Sequence, residues 1–215
     1  SDAPTASPTP AHGYSRDMKK VLARFFLWLS RLTFVGEPPK ESCVLVAGPH
    51  TSNWDFLFML SYAWVTDVPL RWLGKEELFK GPMGPIMRAT GGIAVDRDHP
   101  GGLVEQMAER FRDGPRMGLV ITPEGTRGKR DYWKSGFYRI ARAADVPIVL
   151  GYIDWPNRTG GFGPTFKLTG DVHADMERIR DLYDNITGIR PQGQTSPRLR
   201  EEDRSLDEGD DTYDD

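Results

Sequence analysis

Apolar and polar positions along this chain follow two periods, one typical of buried strands and one typical of amphipathic helices. Short apolar runs bounded by Gly and Pro predict strands, and apolar residues at three- to four-residue spacing predict helices. Strands are predicted at 43–47, 70–74, 93–95, 117–122, 147–153 and 165–168, and helices at 53–64, 101–112, 134–144 and 174–186, with a partly helical stretch at 78–89. Because strands alternate with helices, we expect an α/β fold, a single layered domain with a mixed central β-sheet flanked by helices.

An amphipathic basic helix is predicted ahead of this domain, at 14–34. Its apolar residues, among them Phe25, Phe26 and Trp28, recur at helical spacing, and several Lys and Arg residues supply positive charge. Such a helix can lie in an anionic membrane surface with its aromatic face inserted. Alternatively, the aromatic residues dock on the domain's own core, and the two interpretations are compatible if only part of the face docks.

The two ends of the chain are poor in apolar residues. Residues 1–13 are rich in Pro, Ser, Thr and Ala, and residues 191–215 contain three Arg against nine Asp or Glu. Neither segment can offset the entropy of ordering, so both are predicted to be disordered, which leaves 14–190 as the folded domain.

Basic residues are dispersed along the chain and the acidic tail repels phosphate, so we expect no nucleic-acid partner.

The first candidate for catalysis is His50, which directly follows a predicted buried strand. Asp55, at the start of the next helix, can hold the far ring nitrogen, fix the tautomer and stabilise the imidazolium. A base positioned in this way is worth roughly 10²–10⁴ in rate. The same spacing recurs from His12 to Asp17, in a leader where no rigid geometry is expected, so spacing alone decides little. A histidine that merely caps the turn is the alternative.

Two further segments offer groups for an anion. Arg97 stands at the end of a predicted strand, where a guanidinium can bind a phosphate through two hydrogen bonds. After the strand at 117–122, the loop brings backbone amides, the Thr126 hydroxyl and Arg127, and Gly125 lets the backbone approach an oxyanion closely. Glu124 in the same loop is expected to accept a hydrogen bond from a substrate hydroxyl or to hold the loop.

Other chemistries have little support in the sequence. The chain has no G-x-S-x-G segment, which disfavours a covalent serine mechanism. Its four histidines lack paired ligand spacing and its single cysteine cannot form a cluster, so no metal site is predicted. The glycine-containing loop lacks the P-loop pattern, which disfavours nucleotide hydrolysis.

Four segments, GPHTSNWD, GGIAVDR, VITPEGTR and ADVPIVL, in this order and spacing, resemble the blocks of the glycerophospholipid acyltransferase family, which includes the bacterial lysophosphatidate acyltransferases. The resemblance covers roughly residues 40–155, and PEGTR is its most specific part. It implies direct transfer of a fatty acyl group from an acyl-CoA or acyl-carrier-protein thioester to the hydroxyl of a lysophospholipid such as 1-acylglycerol-3-phosphate. It also implies no covalent enzyme intermediate and no cofactor beyond the acyl donor.

On the family's pattern His50 is the general base and Asp55 its partner. Arg97 and the Glu124–Arg127 segment would hold the phosphate-bearing acceptor. Family members are membrane-associated, which agrees with the basic helix at 14–34. No apolar stretch approaches the ~20 residues needed to span a bilayer, so a soluble or peripheral protein is expected. We therefore expect a cytoplasmic protein associated peripherally with the anionic inner face of the cell membrane.

Two positions depart from the family's pattern. Thr122 stands where an aromatic residue usually precedes PEGTR, and Ala94 stands where the second block usually has a Phe-like residue. Both border the presumed acceptor and acyl pocket. The same chemistry on an amino-lipid or glycolipid is therefore an alternative, and a non-catalytic peripheral lipid-binding protein is a further one.

A long acyl chain, at about 0.8 kcal/mol per CH₂, requires an apolar groove during the reaction. The candidate lining residues are Phe56, Leu57, Phe58, Met59, Trp72, Leu78, Phe79, Met83, Ile86 and Met87. Lys75 and Lys134 are candidates for extra positive charge near a substrate phosphate.

Overall fold

The structure is a computed structural model, and it describes residues 11–95, 100–125 and 128–203. The strands are β1 (Thr33–Val35), β2 (Cys43–Ala47), β3 (Leu70–Lys75), β4 (Gly92–Val95), β5 (Gly118–Ile121), β6 (Ile148–Asp154) and β7 (Thr159–Phe166). The helices are α1 (Ala11–Ser30), α2 (Asn53–Val65), α3 (Gly84–Ala89), α4 (Pro100–Asp113), α5 (Gly136–Ala144) and α6 (Val172–Tyr183), with short 3₁₀ helices at Glu76–Phe79 and Pro191–Gly193.

The seven strands form one sheet in the order β1-β7-β6-β2-β5-β3-β4. Every pairing is parallel except that of β6 with β7, which is antiparallel. The predicted α/β class, with a mixed sheet, flanking helices and a preceding N-terminal helix, is confirmed.

The central strand β2 is covered on both faces, which explains its uninterrupted apolar sequence. Val44 and Val46 pack in the main core with residues of α4, α5 and α6, whereas Leu45 packs on the opposite face with Ala63 of α2. Because β2 and β5 are parallel neighbours, the loops that follow them emerge side by side at the carboxyl edge of the sheet. These are the loops that carry the predicted site.

Helix α1 ends at Ser30, earlier than the predicted 34, because residues 33–35 form the edge strand β1 beside β7. One face of α1 docks on α2: Ala23 is buried, and the Phe26 ring stacks on the Phe58 ring at a centroid distance of 5.1 Å. The opposite face is exposed. One face of α1 therefore docks on the domain while the other stays exposed, so docking on the core and an exposed aromatic face are compatible, as the sequence analysis allowed.

The C-terminal segment differs from the prediction of disorder beginning at residue 191. Residues 191–203 pack on the domain, with Leu199 almost fully buried and Arg180 paired with Glu202 at 2.8 Å. A buried ion pair and main-chain hydrogen bonds offset the ordering entropy here, and neither is visible in a polar composition. Of the leader predicted at 1–13, residues 11–13 belong to α1, and residues 1–10 lie outside the described residues, as do residues 204–215 of the acidic end. None of the described helices is both long and apolar enough to cross a membrane.

Candidate active site

The loop between β2 and α2 is held by the carboxylate of Asp55. Its Oδ2 accepts hydrogen bonds from the backbone amides of Thr51 at 2.8 Å and Ser52 at 2.7 Å. The Ser52 hydroxyl in turn accepts from the backbone amides of Trp54 and Asp55, so Ser52 and Asp55 form a reciprocal capping box at the start of α2. The Ser52-x-x-Asp55 spacing was the signal for this role, which we did not predict from the sequence.

His50 faces Asp55, as the spacing predicts. Nδ1 of the ring lies 3.6 Å from Asp55 Oδ2, and the two side chains are 20% and 10% exposed. This separation suits an ion pair but exceeds a hydrogen bond, and such contacts often tighten only when substrate binds. Asp55 is therefore hydrogen-bonded to the loop amides and makes only a longer contact with the histidine ring.

Glu124 holds the same loop from the other side. Its Oε1 accepts a hydrogen bond from the His50 backbone amide at 2.6 Å, and the residue is 1% exposed. Of the two roles predicted for Glu124, holding the loop is the one that the structure shows. Its carboxylate is buried and is not among the residues that line the cavity beside His50, and contact of Glu124 with substrate stays a prediction.

Burial shifts both carboxyl groups toward the neutral form. It raises the pKa of Asp55 to about 6, although the Ser52 and Thr51 amides and the charge of Arg190 act in the opposite direction. Burial likewise raises the pKa of Glu124 to about 7; the amides of His50 and Thr195 lower it, and the charge of Asp55 raises it further. Among the described residues, Asp55 Oδ1 and Glu124 Oε2 have no hydrogen-bond partner, which is consistent with these raised values.

A cavity of about 1320 Å³ opens at the carboxyl edge of the sheet and is lined by both His50 and Asp55. A site for one small ligand usually measures about 300–1,000 Å³, so this cavity has room for more than one. It reaches both faces of the sheet. The lining residues include Leu45, Met59, Ala63, Leu70, Trp72 and Val120 on the α2 face, and Leu103, Val104, Ile121 and Ile140 on the α4–α5 face.

The predicted groove is only partly the observed one. The predicted residues that line the cavity are Phe56, Leu57, Met59, Trp72 and Leu78. Phe58 and Phe79 are buried in the core, and Met83 and Ile86 are exposed on the surface. The difference arises because periodicity shows which residues are apolar but not which side of α2 or α3 meets the sheet.

The remaining predicted site residues fall into two groups. Gly125 lines the cavity, with φ of +66°, a left-handed conformation that favours glycine. Arg97, Thr126 and Arg127 lie outside the described residues. The C-terminal residue Arg200 also lines this cavity, which we did not predict from the sequence.

Comparison with known protein families identifies the family of this chain. A model of the family described as Acyltransferase matches residues 31–152, more than half of the chain. The chain belongs to the Acyltransferase family. The matched range of this acyltransferase contains His50, Asp55 and Glu124, whereas the packed segment 191–203 lies beyond it.

Among solved structures, this acyltransferase is similar to the 1-acyl-sn-glycerophosphate (LPA) acyltransferase PlsC from Thermotoga maritima. The two share 16% sequence identity with a TM-score of 0.54, over 77% of this chain and 75% of the other. The likeness concerns the fold. No curated protein matches the chain in sequence.

Proposed function

We propose that this acyltransferase moves a fatty acyl group from a thioester, either acyl-CoA or an acyl-carrier protein, to the hydroxyl of a lysophospholipid such as 1-acylglycerol-3-phosphate. The observation that carries the proposal is the position of His50. Its ring faces Asp55 and lines a large, mostly apolar cavity. A base and an apolar binding space at one place are what acyl transfer to a lipid hydroxyl requires.

In the proposed mechanism His50 is the general base. Because Nδ1 faces Asp55, Nε2 is the nitrogen that takes the proton from the acceptor hydroxyl as its oxygen attacks the thioester carbonyl. The tetrahedral oxyanion then collapses, the C–S bond breaks, and the leaving thiolate takes the proton from the imidazolium. The Asp55 carboxylate stabilises the imidazolium between these steps, and no covalent enzyme intermediate is formed.

The shape of the cavity supports a reaction between two lipid-like substrates. Apolar residues line it on both faces of the sheet, so it can accommodate the transferred acyl chain and part of the acceptor. Arg97, Thr126 and Arg127 remain our candidates for binding the acceptor phosphate. Thr122 lines the cavity in place of the family's usual aromatic residue, which keeps an amino-lipid or glycolipid as the second candidate acceptor.

Membrane association is the second part of the proposal. The exposed side of α1, which we call the outer face, consists of Met18, Val21, Leu22, Phe25, Trp28 and Leu29, each 60–73% exposed. An exposed apolar face of this kind marks an interaction surface, and an amphipathic helix can insert such a face into a leaflet. We place it at the anionic inner face of the cell membrane.

The charge on α1 contributes less to this association than its sequence implies. Lys19 and Lys20 face the domain, where Lys19 Nζ donates to the Ala89 carbonyl at 3.4 Å and Lys20 pairs with Asp67. Arg24 and Arg31 are exposed and remain for anionic lipid. Insertion of the outer face is therefore the main contribution in our proposal.

The central experiment incubates the full chain with labelled palmitoyl-CoA or palmitoyl-acyl-carrier protein and a panel of acceptors that includes lysophosphatidate. We expect labelled phosphatidate, and a loss of roughly 10²–10⁴ in rate for His50→Ala. His173→Ala, at an exposed position of α6, is the matched control and keeps the wild-type rate. Product formation that survives His50→Ala would rule out the base. Transfer only to acceptors without phosphate would favour the second candidate.

A further inference from the structure

We propose that Lys134 and Arg200 form a binding site for a phosphate ester within the cavity, a site built from residues outside the family's four motif segments. The inference rests on the proposed function, since it assigns part of one substrate of that reaction. Three independent observations support it: the path of the Lys134 side chain, the pairing of two chain segments, and an excess of positive over negative charge among the described residues that line the cavity.

The side chain of Lys134 lies across the loop that contains Gly125. The Lys134 backbone amide donates to the Pro123 carbonyl at 2.8 Å, which fixes it to this loop. A Cβ atom on Gly125 would lie 2.9 Å from Lys134 Cε and 3.3 Å from Nζ. Glycine at 125 therefore lets the lysine cross the loop in close contact, and both residues line the cavity.

The C-terminal segment places Arg200 beside Lys134. Trp133 and Leu199 form an isolated parallel β-bridge, and the Trp133 amide donates to the Arg198 carbonyl at 2.8 Å. Both bridge residues are buried in the main core. The bridge therefore brings the next residue of each segment, Lys134 and Arg200, to the cavity that both of them line.

Within the described residues Lys134 has no counter-charge of its own, and the charge of Arg200 acts on Asp203, whose carboxylate already pairs with Arg198. The Lys134 ammonium makes no hydrogen bond or ion pair there, and the Arg200 guanidinium carbon lies 5.5 Å from the centre of the Tyr132 ring. Such a contact over a ring leaves the guanidinium N–H groups available as donors.

Arg139 of α5 also lines the cavity, whose described lining contains two carboxylates, Asp55 and Glu201. The wall therefore carries excess positive charge.

A phosphate ester is the ligand that fits this wall. A lysine and an arginine side by side supply charge and a fork of N–H donors, the combination that phosphate oxygens accept. The apolar remainder of the cavity suits an attached acyl or pantetheine chain. The phosphate belongs either to the acceptor's glycerol or to coenzyme A, and the two sources can be separated by experiment.

The test is direct titration of the full chain by calorimetry, with two pairs of probes. They are 1-hexanoylglycerol-3-phosphate against monohexanoylglycerol, and coenzyme A against pantetheine. We expect Lys134→Gln and Arg200→Gln each to weaken binding of one phosphate-bearing probe by about tenfold, and the double variant to weaken it further. Lys134→Arg should retain most of the affinity. The probe that is affected identifies the source of the phosphate.

Arg110→Gln is the matched control, since Arg110 is exposed on α4 and does not line the cavity. Unchanged affinity of the double variant for both phosphate probes would overturn the site. An equal loss of affinity for the phosphate-free analogues would overturn it as well, because the effect would then be on the fold of the loop. Absence of acyl transfer in the wild-type protein would defeat the proposed function, while the titrations would still decide the phosphate site.

Discussion

The backbone amide of His50 donates a hydrogen bond to the Glu124 carboxylate at 2.6 Å, which joins two loops that are 74 residues apart in sequence. On the other side of His50, the Asp55 carboxylate accepts from the amides of Thr51 and Ser52. Two buried carboxylates therefore hold the main chain that presents the imidazole. Glu124 of the PEGTR segment therefore positions the loop that contains His50, in addition to the anion-binding role proposed for this segment.

Replacement of Glu124 separates its charge from its role as an acceptor. Glu124→Ala removes the carboxylate that accepts from the part-buried His50 amide, which should cost about 1–3 kcal/mol of unfolding free energy and lower kcat by tenfold or more. Glu124→Gln keeps a carbonyl oxygen at that position, and a smaller loss is expected. Urea denaturation and kcat for labelled acyl transfer measure both effects. If Glu124→Ala retained full kcat, the contact would have no positioning role.

Stability should depend on pH through Asp55 and Glu124. Their pKa values in the fold are about 6 and about 7, above those of an unfolded chain. Between the unfolded and the folded pKa of each group, the native state therefore binds more protons than the unfolded state does. The contribution to the free energy of unfolding is complete below about pH 4 and is lost as the pH rises to about 7. Glu124→Gln should flatten this decline, as measured by urea denaturation from about pH 4 to 8. A wild-type slope in that variant would contradict the assignment.

Alanine substitutions at Gly125 and Gly128, two glycines of one loop, test the contact between Gly125 and Lys134. Gly125→Ala introduces a Cβ against Lys134 at φ of +66°, and should cost about 1–2 kcal/mol for the left-handed backbone alone. It should also raise the KM of the phosphate-bearing substrate. Gly128→Ala meets no atom within 4 Å and should behave as wild type. Equal behaviour of the two variants would show that the close approach has no function.

Gly151 of β6 should limit the length of the acyl chain. It lines the cavity, and a Cβ there would contact only the main-chain oxygens of Val46 and Gly161, at 3.6 and 3.9 Å. Gly151→Ala is therefore tolerated, and Gly151→Leu should fill part of the cavity. We expect the rate with palmitoyl-CoA to fall by about tenfold relative to the rate with octanoyl-CoA. An unchanged ratio would mean that the acyl chain does not pass this strand.

The outer face of α1 should determine binding to vesicles. Phe25→Ser with Trp28→Ser removes two rings that are 61% and 73% exposed, so the fold should persist while sedimentation with anionic phosphatidylglycerol vesicles decreases by about tenfold or more. Asp113→Ser, outside α1, is the control. Transfer to a water-soluble acceptor should be unaffected. Unaltered sedimentation of the double variant would exclude this face as the anchor.

Sequence periodicity predicted the elements whose pattern is local. The core strands β2, β5 and β6 and the helices α2 and α5 have contiguous apolar or amphipathic segments, so each was predicted within a few residues. Strand β1 has only three residues, and the start of β7 is rich in glycine, which is a poor strand former. Both are stabilised by pairing with strands remote in sequence, which no local pattern records.

For the site, the sequence by itself determined which side chains could act together: His50 with Asp55, and a loop with a glycine and cations after β5. Only the tertiary structure decided their contacts. The parallel pairing of β2 with β5 brings Glu124 under His50, and the bridge between Trp133 and Leu199 brings Arg200 to the cavity from a segment predicted to be disordered. Those contacts join residues far apart in the chain, and their free energy depends on burial and hydrogen-bond geometry, which composition and spacing do not contain.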